Sequence, residues 1–140
     1  MKSIKKITFD ELERTMSIIQ KTEQMNYLGE GGTTYHFNNE QELYNFLNNW
    51  SSTEIQYVGF SDGTFAAYHD DQNTYTQSHI QITKQGGSFY FNGRQIIERG
   101  HLHHVSSDAS DSDRAFACQV TVPSYIFYQG GYYNYSCNNY

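Results

Sequence analysis

The feature that most constrains the fold of this chain is a change in the spacing of its apolar residues after Trp50. Before that point apolar residues recur at intervals of three and four, which is typical of a helix with one buried face. Beyond it they fall in short runs with a period near two, which is typical of strands. Turn-forming segments separate these runs, which read EIQYVGF, TFAAYH, SHIQITK, SFYFNG, QIIERGHLHH and SYIFYQGGYYNYS. The pattern predicts an α+β fold built on a small mixed sheet of short strands.

One long helix is predicted before the sheet and one short helix after the histidine-bearing strand. Residues 37–50 predict the long helix because their apolar side chains fall on one face, and Asn38 or Asn39 can cap it. The short helix falls in SDSDRAFACQ, which is led by serine and aspartate. Between them, Asn92-Gly93 is the pair that favours a type I′ turn, so this segment predicts a hairpin.

The composition argues against several classes of partner. The formal net charge is −6 and no basic run is present, which disfavours nucleic acid. No apolar stretch approaches the roughly 18–20 residues that a transmembrane helix needs, so no membrane insertion is expected. The two cysteines are too few for a disulfide scaffold and lack C-x-x-C spacing. In an exported protein Cys118 and Cys137 can pair with each other; otherwise Cys118 is a small core residue.

The first 32 residues differ from the rest in charge. They hold equal numbers of basic and acidic residues, so residues 33–140 carry the whole net charge of −6. This segment contains a weakly amphipathic helical stretch and ends in GEGG. It resembles the double-glycine leader peptides of Bacteroidetes-type bacteria, whose substrates leave through peptidase-containing ABC exporters. The resemblance implies synthesis in the bacterial cytoplasm, a single cleavage after Gly32 of the Gly31-Gly32 pair, and secretion of residues 33–140. The alternative is an N-terminal helix packed on the domain, with a flexible glycine linker after it.

The stretch GHLHHVSSDASDSDRAF, residues 100–116, contains most of the candidate metal-binding and catalytic residues of the chain. On a strand, His101 and His103 lie on one face while Leu102 points the other way, into the core. Two adjacent imidazoles form half of a zinc site, and a catalytic zinc has three protein ligands and one open position. Asp113 is the candidate third ligand, at the start of the predicted short helix with Ser110 as its N-cap. Ser110 would then lie at the edge of the site, where its hydroxyl could stabilise an oxyanion.

The order His-x-His, a spacer, then Ser-x-x-Asp resembles the JAMM motif of JAB/MPN-type zinc metallopeptidases. Here six residues separate His103 from Ser110, one fewer than in the family's motif. The segment VPSYIFYQGGYYNY also resembles the strand pair that closes the family's domain, and the likeness spans roughly residues 53–135. It implies a JAB/MPN-like domain over residues 33–140, in which His101, His103 and Asp113 bind Zn²⁺. It also implies a glutamate on an earlier strand that acts as general base.

Glu54 is the candidate for that base. Glu40 and Glu42 belong to the predicted long helix and would face solvent. Glu98 lies only three residues before His101, too close to come from a neighbouring strand. Glu54 opens EIQYVGFSDGTF, which resembles the family's early strand, with its glutamate followed by a glycine. Beside a water activated by zinc, a carboxylate can take and return the proton.

These features predict an exported zinc-dependent hydrolase of a peptide or isopeptide amide bond, with a role as a secreted effector or toxin. Its partners would be a peptide or protein substrate and the ABC exporter. A catalytically inactive JAB-like binding module is the alternative, favoured by the shortened spacer and by His104, where the family usually has proline. A bacteriocin-like peptide acting on membranes is a third hypothesis. The acidic net charge argues against it, because such peptides usually carry basic faces.

Overall fold

The computed structural model describes residues 32–137. Within that range there are two helices and eight strands, and the strands form a single mixed sheet. The elements are β1 (Thr33–Phe37), α1 (Glu40–Asn49), β2 (Gln56–Phe60), β3 (Phe65–His69), β4 (Thr83–Gln85), β5 (Ser88–Phe91), β6 (Arg94–Leu102), α2 (Asp111–Gln119), β7 (Ser124–Tyr128) and β8 (Gly131–Tyr135). The predicted α+β class and mixed sheet are confirmed, although the sheet is larger than the small one expected. The predicted leader, apart from Gly32, lies outside the described residues.

Strand β6 is the longest strand and organises the sheet. The strands run in the order β1-β3-β2-β6-β5-β4, and β7 and β8 branch from β6. The first residues of β6 pair with β5, whereas its last residues lie between antiparallel β2 and parallel β7. In that register His101 lies opposite Gln56 on β2 and Ile126 on β7. The histidine-bearing end of β6 is therefore held by strands on both sides.

The two helices cover opposite faces of this part of the sheet. The α1 face consists of Tyr57, Gly100, Leu102 and Phe127, and its large side chains pack in one apolar cluster with residues of α1. The α2 face consists of Gln56, Val58, Arg99, His101, Ser124 and Ile126. Ala117 on α2 packs against Ile126 there. No helix among residues 32–137 is long and apolar enough to cross a membrane.

Gly100 shows how closely the α1 face is packed. A Cβ at this position would lie 2.5 Å from the Tyr57 hydroxyl oxygen and 2.6 Å from its ring. Any side chain would therefore have to displace a ring that is 2 % exposed. The glycine lets the Tyr57 ring lie directly on the strand between Arg99 and His101.

The local predictions agree with the structure in two places. Asn39 caps α1 by accepting a hydrogen bond from the Glu42 backbone N–H at 2.9 Å. The hairpin between β5 and β6 turns at Asn92 and Gly93, with φ of 51° and 81°, which is the left-handed pair that a type I′ turn requires.

Two other local predictions were wrong. The predicted helix over 37–50 begins too early, because Phe37 ends strand β1, which pairs with β3. The run SHIQITK forms a strand only from Thr83 onward. Its first residue, Ser78, lies outside the strand. The Ser78 hydroxyl accepts a hydrogen bond from Gln56 and donates one to Glu54.

Candidate metal centre

The two predicted histidines meet at the end of β6. His101, the next-to-last residue of the strand, is 1 % exposed, and His103 follows directly after the strand. Their Nε2 atoms lie 3.0 Å apart. Nδ1 of His103 is 3.0 Å from the Ser106 carbonyl oxygen, to which it donates when protonated. When His103 is neutral, that bond leaves its lone pair on Nε2, facing His101, which is how metal-binding imidazoles are commonly oriented. Leu102 points into the α1 face, as the strand periodicity predicts.

Asp113 reaches both imidazoles from α2. Ser110 is the N-cap of this helix: its hydroxyl accepts from the Asp113 backbone N–H, and the Asp113 carboxylate accepts from the Ser110 backbone N–H at 2.9 Å. This reciprocal capping box confirms the predicted cap and orients the carboxylate. Oδ1 of Asp113 lies 3.1 Å from His101 Nε2, and Oδ2 lies 3.2 Å from His103 Nε2.

Glu54 comes to the same place from the segment before β2. Its backbone N–H donates to the Thr74 carbonyl at 2.7 Å, and its carbonyl accepts from the Asn73 side chain at 3.0 Å. The Ser78 hydroxyl donates to Oε1 of Glu54 at 3.2 Å, while Oε2 lies 3.8 Å from His103 Nε2. The alternatives lie elsewhere: Glu40 and Glu42 are exposed on α1, as predicted, and Glu98 pairs with Gly59 in the middle of β6.

The spacing of these atoms fits a metal centre. One ligand atom from each of Glu54, His101 and His103 lies within 4.8 Å of the others, so this buried group could hold a metal ion. Ligands bound about 2.05 Å from a tetrahedral metal lie about 3.3 Å apart. The contacts among His101, His103 and Asp113, 3.0 to 3.2 Å, are close to that value, whereas Glu54 is farther out at 3.8 Å from His103. Asp113 therefore lies closer to the two imidazoles than Glu54 does.

Burial and charge shift the pKa values of all four groups. Burial raises the pKa of Glu54 to about 7, against the lowering effect of His103. Burial also lowers the pKa of His101 to about 4, so this imidazole is neutral at pH 7. For His103, burial lowers the pKa, but the hydrogen bond to Asp113 and the charge of Glu54 outweigh it and the net shift is upward. For Asp113, hydrogen bonds from the two histidines outweigh burial and hold its pKa well below the usual range.

A pocket of about 570 Å³ opens beside these side chains. Its walls include Glu54, His103, Ser110 and Asp113, with Asp108 as a further carboxylate. Among the described residues that line it there is no lysine or arginine. A metal ion held by this group would offset the concentration of negative charge.

Several residues at the site were not predicted. Arg99 is 1 % exposed and lies on the same face of β6 as His101, two residues away. The strand period of two could have placed it there, but a buried arginine has no signature in the sequence. His79 also lies on the pocket wall, 2.9 Å from the buried Asp70 carboxylate. Ser78 could not have been found, because its segment reads as a strand.

The remaining sequence features have definite positions. His104, in place of the family's usual proline, donates from Nε2 to the Thr53 carbonyl at 2.7 Å when that nitrogen is protonated, and it stacks on Tyr75. It therefore joins the exit of β6 to the residue before Glu54. Cys118 and Cys137 form a disulfide that ties α2 to the segment after β8. Gly32 immediately precedes β1, whereas Gly31 lies outside the described residues.

Comparison with protein-family models, with curated proteins and with solved structures finds no match to this chain. The JAB/MPN and leader resemblances therefore stay predictions, and the interpretation of the site depends on its own geometry.

Proposed function

We propose that this protein is a zinc-dependent hydrolase in which His101, His103 and Asp113 bind the metal. The observation that carries the proposal is the convergence of two imidazole Nε2 atoms and one carboxylate within 3.0 to 3.2 Å of one another, with His103 and Asp113 on the wall of a pocket and His101 buried behind them. A strand, a helix cap and a hydrogen bond to Ser106 each fix one of these side chains independently of the others.

The chain supplies the groups that amide hydrolysis needs around such a metal. Bound zinc would provide an activated water at neutral pH. Glu54, whose Oε2 lies 3.8 Å from His103 Nε2 on the pocket wall, would take the proton and return it to the leaving nitrogen. Ser110 lines the pocket and keeps one hydroxyl proton to donate to the developing oxyanion, since its oxygen already accepts from the Asp113 backbone. The substrate would be a peptide or an isopeptide.

Zinc stoichiometry tests the proposal directly. Native mass spectrometry of the full-length chain is expected to show one bound zinc, and the variant His101→Ala/His103→Ala is expected to show none. His36→Ala/His69→Ala is the matched control, because it removes two histidines that lie outside the pocket lining. A folded wild-type protein that binds no zinc would exclude the hydrolase.

Glu54→Gln separates the role of base from that of ligand. If Glu54 is the base, the variant keeps its zinc and loses hydrolysis of a peptide library. Loss of zinc from this variant would make Glu54 a ligand instead, in the group with His101 and His103.

One observation favours the alternative of a binding module without catalysis. The Asp113 carboxylate accepts from His101 Nε2 when that nitrogen is protonated, and from His103 Nε2 when His103 is protonated on both nitrogens, so these side chains can satisfy one another without a metal. This alternative predicts that the wild type and the double histidine variant bind the same partner equally well.

Export remains part of the proposal. The leader would bring the chain to a peptidase-containing ABC exporter, and the domain would act outside the cell as an effector or toxin. The measurement is mass spectrometry of the secreted product in a host that carries such an exporter. The expected product begins at Thr33, and Gly31→Ala/Gly32→Ala should leave the chain uncleaved.

A further inference from the structure

Arg99 is the most unusual buried group in the described part of the chain. Its side chain is among the largest that are fully buried, yet none of the ion pairs found among residues 32–137 includes it. A buried cation without a carboxylate partner is costly unless its donors are well used. Nη1 donates to the Tyr135 hydroxyl at 2.8 Å and to the Ser124 hydroxyl at 3.2 Å. These two bonds hold Nη1 of the guanidinium against β7 and β8.

Nη2, the other terminal nitrogen of the Arg99 guanidinium, faces the candidate metal centre. Nη2 of Arg99 donates to Oε1 of Gln56 at 2.9 Å and lies 3.5 Å from Nδ1 of His101. The carbon at the centre of the guanidinium lies 4.6 Å from the centroid of the Phe116 ring, which belongs to the same helix as Asp113. One side chain therefore contacts the ring of His101 and the helix that presents Asp113.

Arg99 also reaches Glu54 through a chain of hydrogen bonds with a fixed direction. A guanidinium only donates, so Gln56 must turn its oxygen towards Arg99 and its NH₂ group away. That NH₂ group donates to the Ser78 hydroxyl oxygen at 3.0 Å, which leaves the Ser78 proton for Glu54 Oε1 at 3.2 Å. The donor-only chemistry of Arg99 thus determines which way every bond in the chain points.

We infer that Arg99 is the positioning residue of this site: it orients the His101 ring directly and the Glu54 carboxylate through Gln56 and Ser78. The inference rests on the proposed function only for what the site does, and the hydrogen-bond chain itself belongs to the metal-free protein. Lysine cannot replace the guanidinium, because an ammonium does not present two parallel donors in one plane.

The test compares Arg99→Lys with Arg94→Lys in the full-length protein. Both changes keep the charge and lie on β6, but Arg94 is at the far end of the strand, paired with the exposed Asp62 at 3.3 Å. In the metal-free proteins, Arg99→Lys should shift the imidazole ¹⁵N signals of His101 and the side-chain ¹³C carboxyl signal of Glu54. Arg94→Lys should leave both unchanged.

Gln56→Met provides a second variant, which decides the question if Arg99→Lys does not fold. It should move the Glu54 carboxyl signal and leave the His101 imidazole signals in place, because only one branch of the chain is cut. An unmoved Glu54 signal in Gln56→Met, or unmoved His101 signals in a folded Arg99→Lys protein, would overturn the inference. Absence of zinc binding by the wild type is a separate result: it would exclude the proposed function while these metal-free signals still test Arg99.

Discussion

The two faces of strand β6 are built on different principles, although they share the same backbone. On the α1 face, Leu102 packs with Tyr57 and Phe127 against Leu43 and Leu47 of the helix, all of them apolar or aromatic. Burial there stabilises the fold by roughly 25 cal/mol per Å² of apolar surface and requires no particular direction of contact.

The α2 face buries Arg99, His101, Gln56 and Ser124 instead. Each of these groups loses water on folding and must find partners at defined distances and angles. The α1 face therefore stabilises the fold, whereas the α2 face holds buried polar side chains in a single arrangement. Substitutions on the two faces should therefore separate folding from metal binding.

The largest effect is expected from Leu43→Ala, in helix α1, which packs on the α1 face of the sheet. Leu43 is 1 % exposed, so the substitution leaves a cavity and should cost about 2–5 kcal/mol in the free energy of unfolding, measured by urea denaturation. Zinc affinity of the folded fraction should not change. A parallel loss of zinc affinity would show that the two faces are not independent.

Reduction of the Cys118–Cys137 disulfide should have the next largest effect. The bond closes a loop over a sequence separation of 19, so its loss is expected to destabilise the protein by about 3 kcal/mol. The bond holds the C-terminal part of α2, the helix that presents Asp113, so zinc affinity should fall as well. Cys118→Ser/Cys137→Ser checks the result without a reductant. Unchanged zinc affinity would show that the Ser110 cap alone positions Asp113.

Glu54→Gln should stabilise the metal-free protein at high pH. The folded-state pKa of about 7 lies above the ordinary value of 4.5, so the folded state binds more protons between these values. Stability therefore falls as the pH rises through this window, and glutamine removes that loss. The variant should gain about 1–2 kcal/mol at pH 8 and almost nothing at pH 4. Urea denaturation at both pH values measures this, and an equal gain at both would contradict the burial argument.

The smallest effect is expected from Ser110→Ala. Loss of the cap of α2 should cost about 1 kcal/mol of stability. Zinc affinity should weaken with it, because the capping box orients the Asp113 carboxylate. Ser112→Ala is the matched control: Ser112 is an exposed serine on the pocket wall within the same helix, its hydroxyl lies 3.3 Å from the Ser110 hydroxyl, and it does not cap the helix. Calorimetry and chelator competition on both variants would distinguish the cap from the surface serine.

The parts of the site that came from local pattern were predictable. The alternation around Leu102 placed His101 and His103 on one face, and the serine-to-aspartate spacing placed the cap and Asp113 at a helix start. The assignment of Glu54 depended on resemblance and elimination rather than on any local signal. Arg99 and Ser78 were missed because their roles depend on partners that lie far away in the sequence.

Neighbouring residues are enough to set the strand alternation after Trp50, the turn at Asn92-Gly93 and the helix caps, so these features can be read from the sequence. The position of β6 between β2 and β7, and the approach of Glu54 to His103, depend on how the whole chain folds. The contacts of the buried Arg99 guanidinium with Gln56 and His101 also depend on the fold of the whole chain. The physical reason is that local propensities act over a few residues, whereas the order and register of strands follow from burying the whole apolar surface at once.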